Sequence, residues 1–365
     1  MQEFRNSFRR LPDPRAANAR HELLEVLFIA LAAMVCGAGS CSEMAEFGQS
    51  KEALLRCFLR LEHGIPSHDT FSRVFRLLEP EAFELAFRRF MAAFAKANGL
   101  KLTGVVAVDG KALRRAYDRG GQATPLHLVN VFAVEARMAL AQQKAPGRNE
   151  TAGALQVLGL LSLEGCIVTA DALHCHRDFA AAVLDRGGHY VLTIKANRGP
   201  LFKAVTQQFA RSGKRSAAQQ TDRAAHGRRE ARRATVMRNT TLAERFPGVA
   251  AVGRVTSRRH LRGRRADPPV VRHYLLSKYI TPKRLLYVTR SHWAIENQLH
   301  WVLDMHFAED ANRARKDHAP ENLATLRRLA LNILRANPDR KSIRLKIKRA
   351  GWDDAFLMQT LSHMR

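Results

Sequence analysis

Apolar positions recur at helical spacing from His21 to about Gly99. Leu23, Leu24, Leu27, Ala30, Leu31 and Met34 mark the first helix, and Gly37-Ala38-Gly39-Ser40 ends it. Further helices are predicted at about Ser42–Gln49, Lys51–Leu61, His68–Leu78 and Glu81–Asn98, with Ser67 as an N-cap after the turn at Gly64-Ile65-Pro66. Residues 1 to about 18 are polar, basic and broken by Pro12 and Pro14, and are expected to form an arm. At Leu102 the period changes to that of strands. Leu102–Val108 is a short β-branched run that closes on Asp109-Gly110. Leu126–Val134 and Arg137–Gln142 read as a hairpin. Thr151–Leu161 reads as a crossover helix, Cys166–Ala170 as a strand running into Asp171, Asp178–Arg186 as a helix and Tyr190–Lys195 as a strand.

The resulting order is β-β-β-α-β-α-β-α. Three antiparallel strands followed by a right-handed parallel crossover make a ribonuclease-H-like mixed sheet, flanked by helices, in which the first and fourth strands are neighbours. That would bring Asp109 and Asp171 together at two strand ends. From Pro282 a single helix is expected to reach about Met305. Ile295, Leu299 and Val302 form its buried stripe, and His292, Glu296 and His300, four residues apart, lie along the edge. A last long helix lies between Pro320 and Pro338, with Leu323, Leu326, Ala330 and Ile333 inward. The expected organisation is an all-helical N-terminal domain (1–100), a first part of the catalytic core (101–210), a basic β-containing insertion before the glutamate helix (211–282), C-terminal core helices (283–337) and a basic tail (338–365).

Charge changes the picture. The 365 residues carry 60 Lys and Arg against 33 Asp and Glu, a net +27, which calls for a polyanionic partner. An anionic membrane is the poorer candidate: the most apolar run, Leu23 to Cys36, falls short of the roughly 18–20 residues that span a bilayer and contains Glu25. Five cysteines without C-x-x-C spacing argue for a reducing compartment and against a thiolate metal site. His174-Cys175-His176 is a poor metal motif, because adjacent side chains diverge. Arginines crowd two segments of the insertion, Arg211 to Arg233 and Arg254 to Arg265. They are expected to line one exposed face and to fork onto DNA phosphates. Between them, Ala234–Met237, Val249–Val255 and Val270–Leu276 read as strands.

Two strand-end aspartates and a helical glutamate can converge on a pair of divalent cations. The residues around them resemble the H-repeat-associated family of insertion-sequence transposases. Gly64-Ile65-Pro66-Ser67-His68-Asp69-Thr70-Phe71 looks like the N-terminal domain associated with these enzymes. Asp109-Gly110-Lys111, Leu126-His127-Leu128-Val129, Thr169-Ala170-Asp171-Ala172 and His226-Gly227-Arg228 follow in the family's order. The most specific block is His292-Trp293-Ala294-Ile295-Glu296-Asn297-Gln298-Leu299-His300-Trp301, followed by Phe307-Ala308-Glu309-Asp310.

The resemblance implies a DDE transposase on a ribonuclease-H-like core, with Asp109, Asp171 and Glu296 as the catalytic, metal-binding triad. It implies two Mg2+ ions, for which Mn2+ could substitute, and double-stranded DNA, both transposon ends and target, as partner. A homodimer in the synaptic complex and a cytoplasmic, nucleoid-associated location in a prokaryote go with it. The expected DNA contacts are Lys111, Arg228, Arg229, Arg258, Arg259, Arg264, Arg265, His292 and His300. The chain departs from the wider superfamily in having Thr289, His292 and Leu303 where Tyr, Arg and Lys stand around the third acid. The rival readings are a non-catalytic DNA-binding descendant and a metal-dependent nuclease of the same fold.

Overall fold

The computed structural model describes residues 2–100, 103–116, 125–211, 217–223, 228–239, 241–261 and 267–362. The first hundred residues are helical: α1 (Gln2–Phe8), α2 (Leu23–Val35), α3 (Cys41–Ser50), α4 (Glu52–Leu55), α5 (His68–Leu77) and α6 (Pro80–Ala97). The apolar run of α2 is buried on every side, from Val26 to Val35. Ser67 caps α5, its hydroxyl accepting the Thr70 N–H at 3.4 Å. The expected N-terminal arm begins instead with a helix. Phe4 and Phe8, one turn apart on α1, stack at 4.5 Å, and both rings pack against Phe90 of α6. Two buried phenylalanines outweigh the basic residues around them. The helix expected over Lys51–Leu61 shrinks to α4; Leu61 takes a left-handed φ of 50°, which an extended helix cannot contain.

One nine-stranded sheet forms the centre. Its strands are β1 (Gly104–Leu113), β2 (Leu126–Ala133), β3 (Met138–Lys144), β4 (Cys166–Ala170), β5 (His189–Ile194), β6 (Ala217–Arg223), β7 (Arg228–Arg238), β8 (Ala251–Leu261) and β9 (Val270–Leu276). Helices α7 (Glu150–Gly159), α8 (Arg177–Asp185) and α9 (Gly199–Ala210) punctuate β3 to β6. The spatial order is β3-β2-β1-β4-β5-β9-β8-β7-β6. β1 is antiparallel to β2 and parallel to β4, and β4 is parallel to β5, so the core has the expected ribonuclease-H-like layout. The strands between 211 and 282 are not set apart from this core. β9 pairs antiparallel with β5, and β8, β7 and β6 continue the same sheet outward.

Beyond the sheet lie α10 (Pro282–Ser291), a π-helical segment (Ile295–His300), α11 (Trp301–Phe307), α12 (Ala319–Ala336), α13 (Ile343–Trp352) and α14 (Asp354–Ser362). The helix expected to run unbroken from Pro282 to Met305 is therefore interrupted at Glu296. Its buried stripe, Ile295, Leu299 and Val302, is as the spacing predicted. Among the described residues no helix is long and apolar enough to cross a membrane.

Candidate active site

β1 does not stop at Asp109. It runs on to Leu113 against β2, whereas its parallel pairing with β4 ends at Ala107↔Thr169. Asp109 thus stands where the sheet splits, with β4 ending beside it and Asp171 directly after β4. Asp171 turns its own backbone: its Oδ1 accepts the N–H of Leu173 at 2.8 Å. Glu296 comes from the π-helical segment, which packs against β1 and β2. A π turn holds an extra residue and re-aims the side chains around it.

Asp109 registers the company of these acids. Burial raises its carboxyl to about 7, and the negative charges of Glu150, Glu296 and Asp171 add to the effect. Its Oδ2 lies 3.6 Å from His300 Nδ1. Below it, Asn130 is its cross-strand partner, and Asn130 Oδ1 accepts from Arg328 Nε at 2.7 Å; Arg328 in turn pairs with Glu309 at 2.7 Å, both fully buried.

Beside the acids is a cleft of about 220 Å³, lined among others by Asp171, Glu296, His292, Trp293, Lys195, Arg272 and Tyr274. Lys195 follows β5, Arg272 lies on β9, and both are exposed. These two cations were not apparent from the sequence as site residues. Lys195 ends an ordinary apolar strand, and only the β5–β9 pairing brings Arg272 next to it.

Several expected DNA contacts are placed otherwise. Lys111 is buried, its Nζ 2.7 Å from Asp304 Oδ1 and 3.3 Å from Asp310 Oδ1, so its charge is spent inside the protein. His292 and His300 are neutral site residues, not phosphate cations. Burial pushes them down to about 4 and about 3. His292 Nδ1 lies 3.3 Å from Thr169 Oγ1, and His300 Nε2 is buried without a hydrogen-bond partner.

The arginine runs are strands, so neighbours alternate between faces. Arg229, Arg233 and Arg258 share one face by register, and all three are exposed. Arg259 and Arg272 belong to the other face, the one that α10 covers and the cleft opens on. The expectation of a single arginine face is corrected by this alternation. Arg228 opens β7; Arg264 and Arg265 lie outside the described residues.

Among the described residues no three His, Cys, Asp or Glu side chains close into a ready-made metal cage. The donor chemistry nevertheless fits a hard divalent cation. Asp109, Asp171 and Glu296 offer carboxylate oxygens whose mutual repulsion is visible at Asp109, and a cation would relieve it.

Comparison with known proteins agrees with this architecture. Residues 5–91 match the model described as DDE_Tnp_1-associated, and residues 101–333 match the transposase DDE domain. The chain is 30% identical to "Putative transposase YncI" of Escherichia coli O157:H7 over 363 residues, covering 96% of this chain and 92% of that protein. It is 28% identical to "H repeat-associated putative transposase YhhI" of Escherichia coli strain K12 over 364 residues, 96% of each. Among solved structures, the piggyBac transposase synaptic complex with hairpin DNA aligns at 11% identity with a TM-score of 0.43, over 100% of this chain and 77% of that one. The chain therefore belongs to the family of transposases with a DDE domain.

Proposed function

We propose that this protein is the DNA transposase of an insertion sequence, which hydrolyses a phosphodiester at the element's end and then joins the freed 3′-hydroxyl to target DNA. The observation that carries the reading is the shared electrostatic field of Asp109, Asp171 and Glu296, three acids drawn from β1, the end of β4 and a π-helical turn. Side chains this far apart in sequence would not converge for stability alone, since like charges brought together out of water cost free energy. Asp109, Asp171 and Glu296 would hold the two divalent ions, Mg2+ or Mn2+, which when bound activate the attacking hydroxyl and neutralise charge on the scissile phosphate.

The chain's own residues supply the rest. Lys195 and Arg272, at the cleft wall, are placed to receive non-bridging phosphate oxygens, which takes over the role that the missing superfamily lysine leaves open. Trp293, half exposed at the mouth of the cleft, offers a flat apolar face to a sugar or base. In hydrolysis the water oxygen bonds to phosphorus and the 3′ oxygen leaves with a proton. In joining, that 3′-hydroxyl attacks a target phosphodiester and a target 3′-hydroxyl leaves. The N-terminal helices and the arginine-bearing strands would hold the remaining DNA, and pairing two ends calls for two copies of the chain.

The test uses duplex DNA ending in the inverted repeats that flank the gene. With Mg2+ the purified protein should nick at the repeat boundary and join the product to a plasmid, and Asp109→Ala should do neither while still binding. Cutting without joining would favour the nuclease reading. Binding with no cutting by the parent would favour a non-catalytic descendant.

A further inference from the structure

A fourth acid shares this field. Glu150, the first residue of α7, has both carboxylate oxygens engaged by histidines from different elements. Oε2 lies 2.8 Å from His127 Nε2, on β2, and Oε1 lies 3.0 Å from His174 Nε2, just beyond β4. His174 is fully buried, and its Nδ1 has no partner. Its ring proton therefore belongs on Nε2, aimed at Glu150, because a proton on Nδ1 would be a buried donor without an acceptor.

The same carboxylate packs on the backbone of Gly110. A Cβ there would run into it, and would also lie 2.5 Å from His127 Nε2. Glycine is thus required at 110 for want of space. Glu150 accordingly touches the residue after Asp109 on one side. On the other it holds His174, whose N–H lies 3.4 Å from Asp171 Oδ1 and which closes the turn that Asp171 makes. One ionised side chain ties the segment carrying one aspartate to the segment carrying the other.

We propose that Glu150, anchored by His127 and His174, is a positioning residue that sets Asp109 and Asp171 at the separation a divalent cation needs. The inference rests on the metal-binding reading of those two aspartates. Glu150 does not act as a ligand, since both of its oxygens are taken by imidazoles. Its role requires a carboxylate: two Nε2–H donors need two acceptor oxygens, and a carboxamide has one.

The test is a Mn2+ titration of full-length parent, Glu150→Gln and Glu150→Asp, followed by thermal melting and begun in EDTA. The parent should gain melting temperature with Mn2+. Glu150→Gln should still melt cooperatively in EDTA, with the Mn2+ midpoint raised by about ten- to a hundredfold, as for other groups that orient metal ligands. Glu150→Asp, which keeps the charge and both acceptors, should bring the midpoint back toward the parent's. His127→Gln, which removes one anchor at the partly exposed rim, should raise the midpoint as well, and it serves if Glu150→Gln does not fold. A midpoint unchanged in Glu150→Gln, or in His127→Gln where that variant stands in, overturns the proposal. So does a melting temperature lowered equally at every Mn2+ concentration, the mark of a merely structural role. A parent that does not respond to Mn2+ overturns the metal reading itself, and the inference falls with it.

Discussion

At the scale of single residues, the site is a conflict among acids held in place by the fold. Asp109 was legible because four small or β-branched residues run into it, and Asp171 for the same reason. Glu150 was not, since an acid in the first turn of a helix is where the helix dipole favours one anyway. His174 is masked by its neighbour His176, which points elsewhere and caps α8, with Nδ1 3.3 Å from the Phe179 N–H. The raised Asp109 carboxyl has a thermodynamic sign. Its folded-state value, about 7, lies above the unfolded value near 3.9, so its favourable contribution is fully present below about pH 4 and is lost as pH rises through 7. Asp109→Asn cannot titrate. In EDTA it should therefore be more stable than the parent at pH 8, by an amount on the order of a few kcal/mol at most, with the advantage fading by pH 4. Mg2+ should stabilise the parent by about 2.7 kcal/mol at a hundredfold excess over Kd, and the variant by less. Paired denaturation curves across pH check both statements. An Asp109 that merely caps a turn predicts the opposite sign: a variant less stable than the parent at pH 8.

At the scale of elements, period and turn chemistry located most helices and the five core strands, because each buries a regular apolar face. Three features were hidden. The N-terminal helix is held by only two rings, too few for a periodicity. β6 and the outer halves of β7 and β8 carry arginine at exposed positions, which blurs the apolar alternation that marks a strand. The π turn at Ile295–His300 leaves no residue signature, because one extra residue in a helix looks like ordinary sequence. That turn carries a testable consequence. Deleting Asn297, which is exposed, should let the segment relax to α-helix while Ile295, Leu299 and Val302 stay buried. Glu296 would then be displaced from Asp109 by an ångström or more. A misplacement of about 1 Å can cost roughly a hundredfold in rate. The deletion variant should fold and bind DNA but nick at least about a hundredfold more slowly. Parent-like nicking would mean that the π turn does not aim Glu296.

At the scale of the whole molecule, the +27 charge announced a polyanion, but it did not say which surface meets it. The sheet supplies that. Residues 211–282 read as a separate insertion because their composition differs, yet β9 pairs with β5 and so carries the arginine strands out from the edge of the active site. The cleft opens on the face where α10 packs, and Arg272 and Arg259 belong to that face, while Arg229 and Arg258 lie on the other. DNA whose scissile phosphate reaches Asp171 and Glu296 must approach along the α10 face. Replacing Arg259 and Arg272 together by Gln should therefore weaken binding to all duplexes alike and flatten the slope of log K against log salt by about two units, one for each phosphate no longer neutralised. The same change at Arg229 and Arg258 should flatten the slope by less than half as much and leave nicking near the parent rate. Both pairs remove two charges, so the long-range attraction drops equally and only the local pairing with phosphate differs. Salt titrations of the two double variants on one unrelated duplex decide the matter. Equal slopes would mean that DNA wraps the edge of the sheet and meets both faces.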